Sequence, residues 1–201
     1  MADAATQLIN QALAHMGEDP VNDLGADPAP ERLRKVLPWF HSGIEAVLKR
    51  HGWHCALEYV TLSPGADAPA NWRWPVSYVV PEGCLRLWRV ERATAWERGR
   101  WIREDGAVLE VIRAAEGGPL NLAYVAKRRP EAIDSHVIDA IALEIAARAC
   151  ETISGSEERG DKLRRLARDA LLSAIGLDGA DGRNDEGPVP DRVADLRGTA
   201  L

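Results

Sequence analysis

The segment HGWHCALEYVTL, residues 51–62, places two histidines and a cysteine within five residues. Imidazole and thiolate groups bind zinc and act as catalytic base and nucleophile, so His51, His54 and Cys55 are the first candidates for chemistry. A zinc site usually takes its ligands in two close pairs, and no second pair follows this one in the sequence. The remaining histidines are scattered: His15, His41 and His136. The spacing therefore argues against a metal site.

A catalytic cysteine must be accessible and must lie next to a base that a third group orients. Cys55 begins an alternating run in which Leu57 and Tyr59 share its face, which predicts a small hydrophobic residue on the apolar side of a strand. The sequence contains no glycine-rich phosphate loop, no G-x-S-x-G motif and no HExxH motif. We therefore expect no enzyme activity, no cofactor, and no catalytic, cofactor-binding or metal-binding residues.

The chain is acidic, with a net charge of −6 over 201 residues, and 46% of its residues are hydrophobic, which is enough for a packed core. An acidic protein is a poor general binder of nucleic acid, because such binding needs a cationic face. An acidic surface would, however, let DNA pass without sticking. We expect no membrane segment and no signal peptide. Three widely spaced cysteines predict a reducing compartment.

Two amphipathic helices are predicted in the N-terminal quarter. Residues 3–16 have apolar positions every three or four residues, with Asp3 as N-cap and Gly17 as C-terminal stop. After a loop rich in proline and aspartate, Asp27 and Pro28 are predicted to be the N-cap and first residue of a second helix. The apolar face of this helix comprises Leu33, Val36, Leu37, Phe40, Ile44, Val47 and Leu48.

From Gly52 to Tyr124 the pattern changes to short strands separated by turns. Asp105 and Gly106 stand between two apolar runs, a strong hairpin signal. Six of the seven tryptophans lie in this region, and because each can bury a large area, we expect them to hold a small β module together. They are Trp53, Trp72, Trp74, Trp88, Trp96 and Trp101.

Helical periodicity returns after Pro130. An alanine-rich helix over 134–154, suited to close packing, is followed by a break, and Ser156 is predicted to cap a last helix ending at Gly176. Residues 178–201 are rich in Gly, Asp and Pro, so we expect them to be disordered until a partner orders them. The apolar face of the last helix comprises Leu163, Leu166, Ala170, Leu171 and Ile175.

These segments predict an α+β fold. Residues 1–52 and 130–177 form a bundle of about four helices from both ends of the chain. Residues 53–129 form an inserted antiparallel β module, and residues 178–201 form an extended polar C-terminal tail.

Four segments of this layout carry a resemblance to a known family. They are ATQLINQALAHMGEDPVNDL, VLKRHGWHCALEYVTLSP, WRWPVSYVVPEGCLRLWRV, and the alanine-rich helix with the ISGSEE turn and charged helix that follow it. In order and spacing they resemble the head-to-tail adaptor (connector) proteins of tailed bacteriophages, of the tail tubular protein A type. The resemblance spans Ala5 to about Leu177, and the C-terminal tail departs from it.

This resemblance implies a structural virion protein in the neck between capsid and tail, assembled in the host cytoplasm. It implies a homo-oligomeric ring of twelve subunits that joins the portal protein to a tail, nozzle or stopper protein. Genomic DNA would pass through the lumen without sequence-specific binding, and no membrane would be involved. The alternatives are a tail-completion or stopper protein of the same neck, or a small cytoplasmic enzyme or binding module.

Overall fold

The computed structural model describes residues 3–65, 71–103, 105–154 and 156–181. These residues form four α-helices and two three-stranded antiparallel sheets, which confirms the predicted α+β class. A 3-10 turn at Pro130–Ala132 precedes the third helix. The elements are α1 (Ala4–Met16), α2 (Glu31–Leu48), β1 (Leu57–Leu62), β2 (Val76–Val79), β3 (Cys84–Glu91), β4 (Trp96–Ile102), β5 (Val108–Ala114), β6 (Leu120–Ala126), α3 (Ser135–Ser154) and α4 (Glu157–Asp181).

Helix α3 lies at the centre of the bundle and packs against α1, α2 and α4. Its small side chains let the neighbouring helices approach closely, as the sequence predicts. One close contact is at Gly43 of α2, where an added Cβ would lie 2.5 Å from Cγ1 of the buried Ile145. The buried small residues of α3 are Ala140, Ala142, Ala146, Ala147, Ala149 and Cys150.

Helix α1 begins and ends as predicted. The Asp3 carboxylate accepts a hydrogen bond from the Thr6 backbone N–H at 2.7 Å, and Gly17 ends the helix with a φ of 71°. The loop that follows is fixed by Asn10, whose amide both donates to the carbonyl oxygen of Val21 and accepts from its N–H. Val21 is buried, so the helix and the loop enter the core together.

The predicted start of α2 at Asp27 and Pro28 is wrong, because the helix begins at Glu31 with Pro30 as its N-cap residue. A residue that precedes proline is disfavoured in the helical conformation, and this restriction applies to both Asp27 and Ala29. The helix therefore starts after the last proline of the loop, without a side-chain cap.

The two sheets face each other across a second hydrophobic core. One has the strand order β1-β6-β3 and the other β2-β5-β4, with every pairing antiparallel. The predicted hairpin is confirmed: Gly106, with a φ of 82°, lies in the turn between β4 and β5. The buried residues of this core are Tyr78, Val80, Ile112, Ala114, Leu120, Leu122, Tyr124 and Ala126.

The expectation that the tryptophans hold the β module together is wrong. Trp53 is fully buried, but it lies in the core of the helical bundle. Trp72 is 94% exposed, and Trp88 and Trp96 are each about 40% exposed. Strands of small sheets turn alternate residues to solvent, and here the inward positions belong to tyrosine and aliphatic side chains.

The β module is attached to the bundle by apolar and by polar contacts. Leu57, Leu85 and Val125 pack on the helical core. Arg86 of β3 donates to the carbonyl oxygen of Lys49, just beyond the end of α2, at 2.8 Å, and Lys127 lies 3.2 Å from the Glu45 carboxylate. Further contact comes from Arg128, whose Nε donates to the carbonyl oxygen of Cys55 at 2.9 Å.

Helix α4 begins after Ser156, whose hydroxyl accepts from the N–H of Arg159, as predicted. Its predicted end at Gly176 is wrong, because the helix continues to Asp181. The first residues assigned to the polar tail are thus helical. The predicted apolar face is confirmed except at Leu166, which is 42% exposed: Leu163 is buried, and Ala170, Leu171 and Ile175 pack against the core. Ala167, Ala174 and Asp178 are buried as well.

Residues 182–201, the rest of the predicted tail, lie outside the described residues. Within the part of the chain that the structure describes, none of the helices is long and apolar enough to cross a membrane.

Candidate functional site

Residues 51–62 form the joint between α2 and the β module. Trp53 fills the joint: its indole N–H donates to the carbonyl oxygen of Val47 at 3.1 Å, and the whole side chain is buried. Its carbonyl oxygen then accepts from the N–H groups of Ala56 and Leu57, which turns the chain into β1. His51 packs edge-on against Trp53 on one side and Trp88 on the other.

The structure brings a third histidine and a buried carboxylate to this joint. Asp178, near the end of α4, is 1% exposed and accepts a hydrogen bond from the backbone N–H of His54 at 3.1 Å. Its Oδ2 lies 3.1 Å from Nδ1 of His54 and 3.3 Å from Nε2 of His51. Its Oδ1 lies 3.9 Å from Nε2 of His136, which stands in the first turn of α3.

Asp134 completes this histidine–aspartate cluster, which we define as His51, His54, Asp134, His136 and Asp178. Ligand atoms of Asp134, His136 and Asp178 all lie within 4.8 Å of one another. Asp178 Oδ2 and His136 Nε2 are buried and have no hydrogen-bond partner among the described residues. Buried polar atoms nearly always have partners, so these two atoms require an explanation.

Cys55 does not have the features of a catalytic nucleophile. It is half-buried and packs beside the helical core. Burial raises the pKa of its thiol, and the Asp134 and Asp178 carboxylates act in the same direction. Because the thiolate is the reactive form, this environment disfavours nucleophilic chemistry.

The predicted common face of Cys55, Leu57 and Tyr59 is buried in part. Cys55 and Leu57 contact the bundle core, but Tyr59 projects beyond the bundle and is 78% exposed. The opposite face of β1, represented by Val60, contacts the core between the two sheets.

Glu58 on β1 forms a polar group with Tyr124 and Arg128. The Tyr124 hydroxyl donates to Glu58 at 2.5 Å, and the Arg128 guanidinium lies 2.7 Å from the same carboxylate. The hydrogen bond from Tyr124 is the largest influence lowering the pKa of Glu58. Burial, followed by the Glu58 carboxylate, raises the pKa of Tyr124 to about 12.

This pKa makes the protein lose stability at alkaline pH. The neutral Tyr124 is favoured in the folded state, so its contribution is complete below the ordinary pKa of 10 and is lost as the pH rises from about 10 to 12. Between pH 9 and pH 11, we expect the free energy of unfolding of the wild type to fall by about 1 kcal/mol more than that of Tyr124→Phe. Urea unfolding at both pH values measures the difference.

The exposed Tyr59 supplies the control for this measurement. Tyr59→Phe should lose stability with pH as the wild type does. Parallel losses for the wild type and Tyr124→Phe would contradict the raised pKa.

No protein-family model and no curated protein sequence matches this chain. The site therefore has to be interpreted from its own geometry.

Sequence reasoning identified His51 and His54 but missed the residues that face them. His54 and Asp178 are separated by 124 positions, so local spacing could not pair them. One signal was present: Asp178 continues the buried stripe of α4 four residues after Ala174, at a position where a charged residue is unusual.

Proposed function

We propose that this chain is a structural virion protein of a tailed bacteriophage, a head-to-tail adaptor that forms a ring between the portal and the tail. In this ring the subunits continue the channel through which the genome leaves the capsid. The bundle would pack side by side with neighbouring subunits, and the β module would contact the next component of the neck.

The observation that carries the proposal is the position of the four resembling segments in the fold. Each one contains a joint together with a helix or strand beside it. The first contains the loop held by Asn10, the second contains Trp53 at the joint of α2 and β1, the third spans the turn between β2 and β3, and the fourth includes the turn between α3 and α4. Joints fix the relative placement of elements, so a resemblance that includes four joints and the elements beside them supports a shared architecture.

The exposed apolar side chains support two distinct contact surfaces. Ile102 and Val108 stand opposite each other where the β4–β5 hairpin begins its turn, and both are at least 60% exposed. On the bundle, Leu166 and Leu177 are exposed on one face of α4, and Leu172 is exposed on another. Exposed apolar residues of this size mark contact surfaces when they are grouped.

Two charge-introducing variants test the proposal on the full-length chain. Leu172→Glu should prevent ring formation with the portal, because it places a charge in the contact between neighbouring bundles. Ile102→Glu should leave the ring intact and abolish recruitment of the next tail component. Mass photometry of each variant, with and without portal protein, measures ring formation.

The wild-type protein decides whether the proposal stands. A wild-type chain that stays monomeric in the presence of portal protein would rule out the adaptor function. A ring that forms equally well from Leu172→Glu would remove α4 from the contact between subunits.

A further inference from the structure

We infer that the histidine–aspartate cluster binds a divalent transition-metal ion of the zinc type. Asp134, His136 and Asp178 are its central ligands and His54 is the fourth. This inference does not depend on the proposed role in a virion. It replaces the expectation from sequence spacing that the chain has no metal-binding residues.

The burial of Asp178 is the first argument. A carboxylate that is 1% exposed is costly to keep charged unless a cation accompanies it. Among the described residues, the side chains within ion-pair distance of Asp178 are histidines, which are cationic only when protonated. A bound divalent cation would balance the charge while the histidines remain neutral.

The distances are the second argument. In a tetrahedral zinc site with bonds of 2.0–2.1 Å, neighbouring ligand atoms lie about 3.3 Å apart. Nδ1 of His54 lies 3.1 Å from Asp178 Oδ2, and Nε2 of His136 lies 3.9 Å from Oδ1. Asp178 Oδ2 and His136 Nε2 have no hydrogen-bond partner in the part of the chain that the structure describes, so both have electron pairs available for a metal.

The donor types select the metal. Two imidazole nitrogens with carboxylate oxygens suit zinc and its neighbours in the transition series. Calcium and magnesium prefer sites made of oxygen ligands alone. The second imidazole is assigned to His54 because its Nδ1 already lies 3.1 Å from Asp178 Oδ2, closer than Nε2 of His51 at 3.3 Å, and because His51 is packed between Trp53 and Trp88.

The site would connect three separate parts of the chain. Asp178 comes from the end of α4, His136 and Asp134 from the start of α3, and His54 from the joint before β1. An ion bound here stabilises the folded chain, because the unfolded chain does not hold these ligands together.

The test uses the full-length chain after treatment with a chelator and dialysis. Isothermal titration with ZnCl2 should show one ion per chain with a Kd of 1 μM or below, and ZnCl2 should raise the thermal midpoint. MgCl2 and CaCl2 at equal concentrations should not change the midpoint. Elemental analysis of the dialysed complex gives the ratio of metal to protein.

Three variants assign the ligands: His54→Ala, His136→Ala and Asp178→Asn. Each should weaken zinc binding at least tenfold. Asparagine is chosen at position 178 because its side-chain oxygen can still accept the hydrogen bond from the His54 backbone N–H. Far-ultraviolet circular dichroism checks that each variant is folded. The double variant His15→Ala/His41→Ala is the matched control, since it removes two exposed histidines outside the cluster, and it should bind zinc as the wild type does.

Two results would overturn the inference. One is the absence of saturable zinc binding by the wild type, which would leave the cluster as an ion pair of Asp178 with protonated histidine. The other is an affinity that falls in the control double variant and not in the folded cluster variants, which would place the metal on surface histidines.

Discussion

Replacing Trp53 by alanine lowers the free energy of unfolding by about 3–5 kcal/mol, which makes it the most damaging single substitution that we expect. The indole is completely buried in the core of the helical bundle, and its N–H donates to the Val47 carbonyl near the end of α2, which also accepts from the N–H of Arg50. The substitution therefore leaves a large cavity and removes one of the two hydrogen bonds to this carbonyl. Chemical denaturation followed by circular dichroism measures the loss.

Two further substitutions separate these contributions. Trp53→Phe keeps much of the aromatic volume but removes the donor, so its effect should be intermediate. Trp72→Ala removes a tryptophan that is 94% exposed and should change the free energy by no more than about 0.5 kcal/mol. If Trp53→Ala cost no more than Trp72→Ala, our description of the joint would be wrong.

The second large effect is expected at the close contact between α2 and α3 at Gly43. Gly43→Ala should lower the free energy of unfolding by about 2 kcal/mol, although alanine is the better helix former. The new Cβ would lie 2.5 Å from Cγ1 of Ile145 and 3.7 Å from its Cα, so the buried neighbour has little room to move. Helices α2 and α3 must separate to accept the methyl group.

Gly176→Ala is the matched control, because it makes the same chemical change in another helix. Nothing lies within 4 Å of the added Cβ at Gly176. Because only helix propensity then differs, Gly176→Ala should raise the free energy of unfolding by up to about 1 kcal/mol. Opposite signs for the two variants, measured by urea unfolding, would separate packing from propensity. A gain at both positions would contradict the close contact of α2 and α3.

Features encoded by neighbouring residues were predictable from the sequence. The boundaries of α1 follow from Asp3 and Gly17, and the β4–β5 hairpin follows from Asp105 and Gly106. The alternation of helical and strand periodicity predicted the α+β class. Each of these signals lies within one turn or one hairpin, so tertiary packing has little opportunity to override it.

Features that depend on distant contacts were not predictable. The burial of Trp53 in the helical core depends on how the chain turns from α2 into β1. The exposure of Trp88 and Trp96 depends on which side of each strand meets another layer. Helix α4 passes Gly176 because its buried stripe continues to Asp178, where distant histidines receive the side chain. Spacing drew attention to His51 and His54, and the fold brought Asp134, His136 and Asp178 to the same place.

The pairing of β1 with β6 has a consequence for how the molecule can change. The chain leaves the bundle along β1 and returns along β6, with Leu57 opposite Val125. Entry and exit are therefore adjacent strands, about 5 Å apart. The segment between Glu58 and Tyr124 is therefore inserted at one point of the chain, and it can be lengthened or shortened beyond the β3 residues Leu85 and Arg86, which contact the bundle, while the four helices keep their connections.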